Sequence, residues 1–310
     1  MLAFAAKEQI CELSFQTEGP FWHLYTDGTK MQDIFCCEDE FKEGMTALAV
    51  CVILSPDVKL VTFELMNNHI HLILCGSRTG GMELFRLKRL SRQWGRVLDW
   101  DAFEPQILEI ESLQALRNEI VYVNRNAYVA SYQYTPFSYP WGGGWAYFLP
   151  VIGQLQVMSL QDIGARMMRE LTHYRNVEEI SALKFVGDVP FIPSFCRVDI
   201  GERLFQNARS YFHLLTRNVE AFSQVASRLK DMVFLTDDEM FVVATRIASE
   251  MFSAKLAMLT SEQKIQLARK LHFDYNASNQ QLRRILKLDP TLINELFPKV
   301  PPSKHQGCGD

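Results

Sequence analysis

The stretch that decides the fold is Glu64-Leu-Met-Asn-Asn-His69-Ile-His71-Leu-Ile-Leu-Cys75, a largely apolar run that contains two histidines. It predicts a buried strand after a turn at Asn67-Asn68, because asparagine tolerates the positive φ angles of tight hairpin turns. Alternate side chains of a strand point to opposite faces, so we expect His69 and His71 on one face. Imidazole is the commonest metal ligand in proteins. The triplet therefore indicates either a metal site or, as in many His-x-His sequences, two half-buried structural histidines.

A second informative stretch spans residues 112–127, where apolar side chains recur at steps of three and four and predict a helix. The apolar stripe consists of Leu113, Leu116, Ile120, Val123 and Ala127. Tyr122 lies off this stripe, and Asn126 follows it by one helical turn on the same face. We therefore expect the tyrosine hydroxyl and the asparagine amide to reach one site.

The histidine pair, the helical tyrosine and the asparagine together resemble the HUH single-tyrosine transposases, specifically the REP-associated tyrosine transposase branch. Residues 65–74 are similar to the Met-Pro-Asn-His-x-His strand of that family, and Tyr122-Val-Asn-Arg-Asn126 is similar to its Tyr-Ile-x-x-Asn-Pro helix. Tyr139-Pro-Trp-Gly142 resembles the aromatic segment that follows. Asn67 and Ala127 stand where the family has proline, which changes the local backbone and removes no reactive group.

The resemblance covers roughly residues 15 to 145 and implies an α+β fold. In that fold an antiparallel sheet flanked by helices forms an HUH or ferredoxin-like palm, followed by an all-α C-terminal domain. The resemblance also implies that Tyr122 is the nucleophile and that His69, His71 and Asn126 hold Mg²⁺ or Mn²⁺. The implied activity is cleavage and rejoining of single-stranded or hairpin DNA through a 5′-phosphotyrosine intermediate, as in a DNA transposase or endonuclease.

Two other functions stay open at this point. A non-catalytic DNA-binding regulator derived from a transposase would use the helical C-terminal half and keep the sheet as a scaffold. A replication initiator or relaxase of the same superfamily would cut DNA by related chemistry. The intact set of His69, His71, Tyr122 and Asn126 favours an enzyme, because a protein that only binds DNA has no use for it. Zinc is disfavoured, since no cysteine or carboxylate stands at a recognisable spacing to complete a tetrahedral site.

A predicted helix after Gly80-Gly81 carries the first group of candidate DNA-binding residues. Four arginines fall on one of its faces, directly after the candidate metal strand, where they can contact phosphates: Arg86, Arg89, Arg92 and Arg96. The aromatic residues of 132–148 either stack on unpaired bases or fasten a long loop to the sheet.

Residues 260–297 predict three short helices that resemble a helix-turn-helix. The second helix and its end carry the second group of candidate DNA-binding residues, Arg283, Arg284 and Lys287. On the third helix, which lacks lysine and arginine, Thr291 and Asn294 are the candidate base-reading residues. A helical module for protein interaction is an equal alternative.

The length predicts about two domains, and a change to helical patterns near Pro150 marks the candidate boundary. The resemblance implies that residues 1–150 are the catalytic domain, and residues 151–310 then form a helical domain for recognition or interaction. The formal net charge is −4, so DNA contact must depend on local basic faces. Seven scattered cysteines without a Cys-x-x-Cys pair favour a reducing cytoplasm over a disulfide framework. We expect no secretory signal and no membrane partner, because no apolar run approaches the roughly 20 residues of a membrane span. A homodimer is compatible with this sequence.

Overall fold

The computed structural model describes residues 2–26, 35–77, 105–130, 134, 138–149, 154–217, 225–226, 228–229 and 235–298. Its contacts divide the chain into two compact units, Met1–Asp231 (unit 1) and Met232–Asp310 (unit 2). Among the described residues, no helix combines the length and the apolar character needed to cross a lipid bilayer.

Unit 1 contains a four-stranded antiparallel sheet, which confirms the predicted α+β class. The strands are β1 (Phe21–Tyr25), β2 (Val58–Leu65), β3 (Ile70–Gly76) and β4 (Gln106–Ile110). They lie in the order β2-β3-β1-β4. The histidine-bearing strand β3 therefore lies inside the sheet, between β2 and β1.

Strands β2 and β3 form the predicted hairpin across Asn67 and Asn68. Leu65 pairs with Ile70, and the Met66 N–H donates to the His69 carbonyl oxygen at 2.9 Å. Nearly every side chain of the two strands is buried, on both faces of the sheet. Residues that line β3 on either face are thus removed from water, and polar side chains among them need polar partners.

Six helices of unit 1 concern the site or the predictions. They are α1 (Leu2–Glu18), α2 (Glu38–Ile53), α3 (Leu113–Ala130), α4 (Leu160–Thr172) and, further along, the pair α5 (Val198–Arg203) and α6 (Ala208–Arg217). Helix α3 begins after Ser112, whose hydroxyl accepts from the Ala115 N–H at 3.2 Å and so satisfies a first-turn donor. It packs against β2, β3 and α6. This packing holds the tyrosine-bearing helix against the histidine-bearing strand.

The aromatic segment at 138–149 covers the outer edge of β2. The Leu65 N–H donates to the Trp141 carbonyl at 2.9 Å, and the Gly143 N–H donates to the Phe63 carbonyl at 2.8 Å. Trp141 stacks on Phe41 with 5.3 Å between ring centroids. In its described part, the segment is thus fastened to the sheet, and it pairs an edge that would otherwise offer open hydrogen-bonding groups.

Several predicted element boundaries differ from those observed. The apolar pattern over residues 201–215 suits one continuous helix, but this stretch is divided between α5 and α6, because the Asn207 side chain accepts from the Ser210 N–H at 2.9 Å and starts a new helix. Helix α1 and strand β4 were not predicted. The region after residue 150 is not wholly helical, since Phe185–Val186 pairs with Val189–Pro190 in a short hairpin of strands β5 and β6.

The compact units also divide at a different place from the predicted domain boundary at residue 150. Chain beyond that point packs on the sheet: the Arg197 N–H donates to the Leu60 carbonyl at 2.7 Å, and α6 packs on α3. Unit 1 therefore extends to Asp231. The division of function between residues 1–150 and 151–310 stays a prediction.

Unit 2 contains four helices among its described residues, α7 (Asp237–Phe252), α8 (Ser261–Tyr275), α9 (Asn279–Leu286) and α10 (Pro290–Leu296). The last three match the short helices predicted over residues 260–297. Ser278 and Gln281 form a capping box at the start of α9, and Pro290 occupies the first turn of α10, where its missing N–H costs no hydrogen bond. Helix α7 ends at Phe252, because Ser253 adopts a left-handed conformation with φ 50°.

Candidate active site

The two histidine rings lie together at the start of β3. His69 directly precedes the strand, and its ring centroid is 4.9 Å from that of His71, with an angle of 84° between the rings. Both residues are buried, with exposed fractions of 3% and 0%. Two imidazoles that share one ion through nitrogens at about 2.1 Å have centroids about 5 Å apart. The observed spacing therefore suits a shared ligand.

Tyr122 lies beside this histidine pair. Its ring centroid is 5.7 Å from that of His71, and the two rings meet edge to face. The predicted tyrosine and the predicted histidines, from a helix and a strand far apart in sequence, are thus neighbours. The tyrosine is 4% exposed, and Val121 and Val123 on either side of it are fully buried. The expectation that Tyr122 lies off the buried stripe is wrong for this part of α3, which is buried all round.

Asn126 lies one turn further along α3 and is 2% exposed. Its Nδ2 atom is buried and has no hydrogen-bond partner among the described residues. Rotation of the amide by 180° exchanges its nitrogen and oxygen, so the oxygen can occupy the same position. An amide oxygen there can serve as a ligand to a hard cation.

The Nδ1 hydrogen bonds of the two histidines set which ring nitrogen carries a lone pair. His69 Nδ1 lies 2.7 Å from Asn68 Oδ1, an atom that only accepts. With the Asn68 amide in this orientation, a neutral His69 carries its proton on Nδ1 and its lone pair on Nε2. His71 Nδ1 lies 3.1 Å from His23 Nε2. That contact connects the predicted site to residues that the sequence did not reveal.

A series of hydrogen-bonded side chains continues from His71 through His23 and Glu119 to Arg228. His23 Nδ1 lies 2.7 Å from Glu119 Oε2, and Arg228 donates from its NH1 group to Glu119 Oε1 at 2.9 Å. His23 and Glu119 are 96 positions apart in the sequence. The one local signal of this hydrogen-bonded series in the sequence is a histidine inside the apolar strand Phe21–Tyr25.

Glu64 is a further residue that sequence reasoning did not assign to the site. It is the cross-strand neighbour of His71 in the β2–β3 pairing and is 2% exposed. Burial raises the pKa of the Tyr139 hydroxyl well above its usual range, and the nearby Glu64 carboxylate adds a smaller rise. Within the described part of the chain, no group of three or more His, Cys, Asp or Glu side chains is arranged to hold a metal ion. Glu64 thus does not complete such a set with the histidines.

The first group of candidate DNA-binding residues, Arg86, Arg89, Arg92 and Arg96, lies outside the described residues. The second group lies in unit 2, where Arg283, Arg284 and Lys287 are exposed and line a cleft of about 410 Å³. Arg284 makes two hydrogen bonds to Asp237 of α7, at 2.5 and 2.9 Å, and the hydrogen-bonded carboxylate raises the pKa of this guanidinium. Arg284 is thus engaged with a carboxylate within its own unit.

The candidate base-reading residues Thr291 and Asn294 are both exposed on α10. Asn294 Oδ1 accepts from Asn279 Nδ2 at 3.2 Å, a bond that joins α10 to the start of α9. Their exposure leaves them accessible to a partner molecule, whether nucleic acid or protein.

No protein-family model, no curated protein and no solved structure matches this chain. The resemblance to the HUH tyrosine transposases therefore rests on the motifs themselves and on where their residues lie.

Proposed function

We propose that this protein cleaves and rejoins single-stranded DNA through a tyrosine nucleophile in a metal-dependent reaction. Tyr122 is the nucleophile, and His69, His71 and Asn126 hold Mg²⁺ or Mn²⁺. The observation that carries the proposal is the cluster of three side chains, with 4.9 Å between the His69 and His71 rings and 5.7 Å between the His71 and Tyr122 rings. Packing alone does not require a histidine pair and a tyrosine at one buried point.

The strand order adds support for the proposed fold family. Along the chain, β1 is followed by α2, β2, β3 and β4, and across the sheet the order is β4-β1-β3-β2. This is the strand arrangement of the split βαβ or ferredoxin-like pattern. The histidine-bearing strand then lies in the interior of the sheet, beside the helix that carries Tyr122.

The donor set suits a hard divalent cation that keeps open coordination positions. His69 and His71 supply neutral imidazole nitrogens, and Asn126 supplies an amide oxygen from a buried position. When bound, the ion neutralises charge on the phosphate oxygens and orients the phosphodiester for in-line displacement.

The reaction at Tyr122 exchanges one phosphoester bond for another. A free tyrosine phenol has a pKa of about 10 and is a poor nucleophile at neutral pH, so the hydroxyl must lose its proton as it attacks. Its oxygen forms a bond to phosphorus while the bond from phosphorus to the 3′ oxygen breaks, and that oxygen leaves as a hydroxyl. The 5′-phosphotyrosine linkage retains the bond energy, so a second attack by a 3′-hydroxyl rejoins DNA without ATP.

Recognition of DNA is proposed for basic surfaces outside this buried cluster. Arg283 and Lys287 border the cleft of unit 2 and are exposed. We expect Arg283→Gln and Lys287→Gln each to weaken DNA binding to a similar degree at all sequences. Each should also lower the slope of log binding constant against log salt concentration by about one. Arg284→Gln is expected to have a smaller effect, because its guanidinium is held by Asp237. Filter binding at several salt concentrations measures all three.

One observation favours the rival function, a regulator that binds DNA without cutting it. Tyr122 is 4% exposed and both histidines are 3% exposed or less. DNA reaches the phenolic oxygen only if side chains around it move. In a regulator the same tyrosine would serve solely to pack α3 on the sheet.

A covalent-adduct assay separates the two functions. The protein is incubated with a labelled library of single-stranded hairpins and Mn²⁺, and denatured samples are examined for protein-DNA adducts. We expect the wild type to form adducts and Tyr122→Phe to form none while retaining DNA affinity within a few-fold. Tyr25→Phe is the matched control: its ring also lies near His71, at 6.3 Å, but its hydroxyl donates to Gln106. The absence of adducts in the wild type would favour the regulator.

A further inference from the structure

We propose that His23, Glu119 and Arg228, here called the backing chain, are positioning residues that hold the His71 proton on Nδ1. His71 Nε2 is thereby kept as a lone-pair donor for the metal ion. The inference rests on the metal site of the proposed function and adds to it a mechanism that prepares one ligand before the ion arrives.

The backing chain is built from three separate parts of unit 1. His23 lies on β1, Glu119 lies on α3, and Arg228 belongs to the short helical stretch at 228–229. The successive distances are 3.1 Å from His71 to His23, 2.7 Å from His23 to Glu119 and 2.9 Å from Glu119 to Arg228. His71, His23 and Glu119 are 0%, 0% and 1% exposed, whereas the Arg228 side chain is 41% exposed.

The order of protons along the chain follows from what each group can donate. Arginine only donates, and a carboxylate only accepts, so Glu119 accepts from Arg228 and from His23 Nδ1. A neutral His23 then has its proton on Nδ1, and its Nε2 must accept. The only proton available for that bond is on His71 Nδ1, which leaves the His71 lone pair on Nε2. The Arg228 end of the chain thus determines the tautomer at the His71 end.

This arrangement matches how metal-binding histidines are usually held. Such histidines donate their second ring N–H to a carboxylate or another acceptor, which fixes the ring and increases its basicity. Here a second imidazole stands between the ligand and the carboxylate. Buried polar chains of this kind contribute little to stability compared with apolar side chains of similar volume. Its proposed role in orienting the metal ligand His71 explains why the backing chain is present.

Glu119→Gln tests the proton order with almost no change in shape. The amide oxygen must face Arg228, because arginine cannot accept, so the amide NH₂ group faces His23 Nδ1. His23 must then accept at Nδ1 and donate from Nε2, and His71 receives that bond at Nδ1 and keeps its proton on Nε2. We therefore expect Mn²⁺ affinity to fall by about 10- to 100-fold. Replacing Arg228 as well, in Glu119→Gln/Arg228→Leu, frees the amide to rotate, and we expect several-fold recovery.

The readout that does not depend on metal is the histidine tautomer itself. Long-range proton–nitrogen NMR spectra of the metal-free, full-length protein with ¹⁵N-labelled histidine distinguish Nδ1–H from Nε2–H, and His71→Asn identifies the His71 signals. We expect Nδ1–H on His71 in the wild type, Nε2–H in Glu119→Gln, and a return of Nδ1–H in the double variant. Mn²⁺ titration of the same proteins gives the affinities.

The outcomes separate this inference from the proposed function. Nε2–H on His71 in the wild type overturns the inference, and this result needs no variant to fold. A Glu119→Gln protein that folds as judged by thermal melting, but keeps the wild-type tautomer and Mn²⁺ affinity, overturns it equally. A wild-type protein with the Nδ1–H tautomer that binds no Mn²⁺ overturns the metal site while leaving the proton order intact.

Discussion

Polar side chains around His71 in unit 1 and those at the helix starts of unit 2 make different kinds of contact. Around His71 in unit 1, polar groups are buried and joined across long sequence separations, 48 positions from His23 to His71 and 96 from His23 to Glu119. In unit 2, Thr260 and Ser278 accept hydrogen bonds from backbone N–H groups three residues on. Long-range polar contacts in a core hold side chains at one point, as a reaction site requires. Local contacts of the second kind fix where helices begin.

The largest effect that tests this contrast is expected from truncation after Phe148. That cut removes α5 and α6, together with the residues that pack on β2 and α3, among them Phe195, Cys196 and Tyr211. We expect residues 1–148 to lose cooperative thermal unfolding, whereas residues 1–231 retain it, because unit 1 extends to Asp231. Thermal melting followed by near-ultraviolet circular dichroism measures both fragments. A cooperative transition in the shorter fragment would contradict this expectation and would support a domain boundary at residue 150.

A smaller effect is expected when one buried polar contact of unit 1 is removed. Asn124 Nδ2 donates to the Tyr211 hydroxyl at 3.0 Å, and Tyr211 is 1% exposed. Tyr211→Phe leaves that amide donor without this acceptor, so the free energy of unfolding should fall by about 1–3 kcal/mol. Tyr174→Phe is the matched control, because its hydroxyl bonds to Glu179 in an exposed position, and it should cost under about 0.5 kcal/mol. Urea denaturation measures the free energy of unfolding of both variants. An equal loss in the two would contradict the expected difference between buried and surface polar contacts.

In unit 2 we expect a local effect from loss of a cap. Ser278 accepts from the Gln281 N–H, and Ser278→Ala removes this bond at the start of α9. The cost is expected to be about 1 kcal/mol. Amide hydrogen exchange should show faster exchange in α9 and unchanged protection in β3. Faster exchange in β3 as well would mean that the two units do not unfold independently.

The smallest expected effect is the pH dependence of the α10 cap. Hydrogen bonds from the Thr291 backbone N–H lower the pKa of Asp289, whose carboxylate also accepts from the Leu292 N–H. A lowered folded-state pKa means that the contribution is present above the unfolded value of about 3.9 and is lost as the pH falls through the folded value. We expect the Thr291 amide of the wild type to keep its protection at the unfolded value of about 3.9 and to lose it only at lower pH. Asp289→Asn keeps a capping side chain without a charge, so the same acid loss in that variant would contradict this cause.

Local patterns allowed much of the fold to be predicted. The hairpin of β2 and β3, helix α3 and the three helices of residues 260–297 each carry their signal within a few residues, as apolar periodicity, an Asn-Asn turn or a capping box. Strand β4 carries no such signal. It is a five-residue edge strand that includes Gln106 and Glu109, and its register depends on pairing with β1, far earlier in the chain. Helix α1 also lacks a local signal, since its apolar side chains show little helical periodicity.

The residues of the candidate site likewise fall into two groups, those that belong to a local motif and those related only by a long-range contact. His69 and His71 share one short motif, and Tyr122 and Asn126 share one helical turn, so the sequence brings each pair to notice. His23 and Glu119 belong to no motif, because what relates them is a contact between β1 and α3. The burial of Tyr122 was also not predictable, because the helix packs on several elements at once.

If the strand histidines and the helix tyrosine form one metal-dependent DNA-cleaving site, cleavage must leave the DNA attached to Tyr122. Peptide mapping by mass spectrometry of the covalent adduct formed with hairpin DNA and Mn²⁺ identifies the attached residue. We expect this residue to be Tyr122, and we expect no adduct with EDTA or in the His69→Ala/His71→Ala variant, provided that variant melts as the wild type does. Attachment to another tyrosine such as Tyr128, an adduct that forms without metal, or no adduct at all would contradict this expectation.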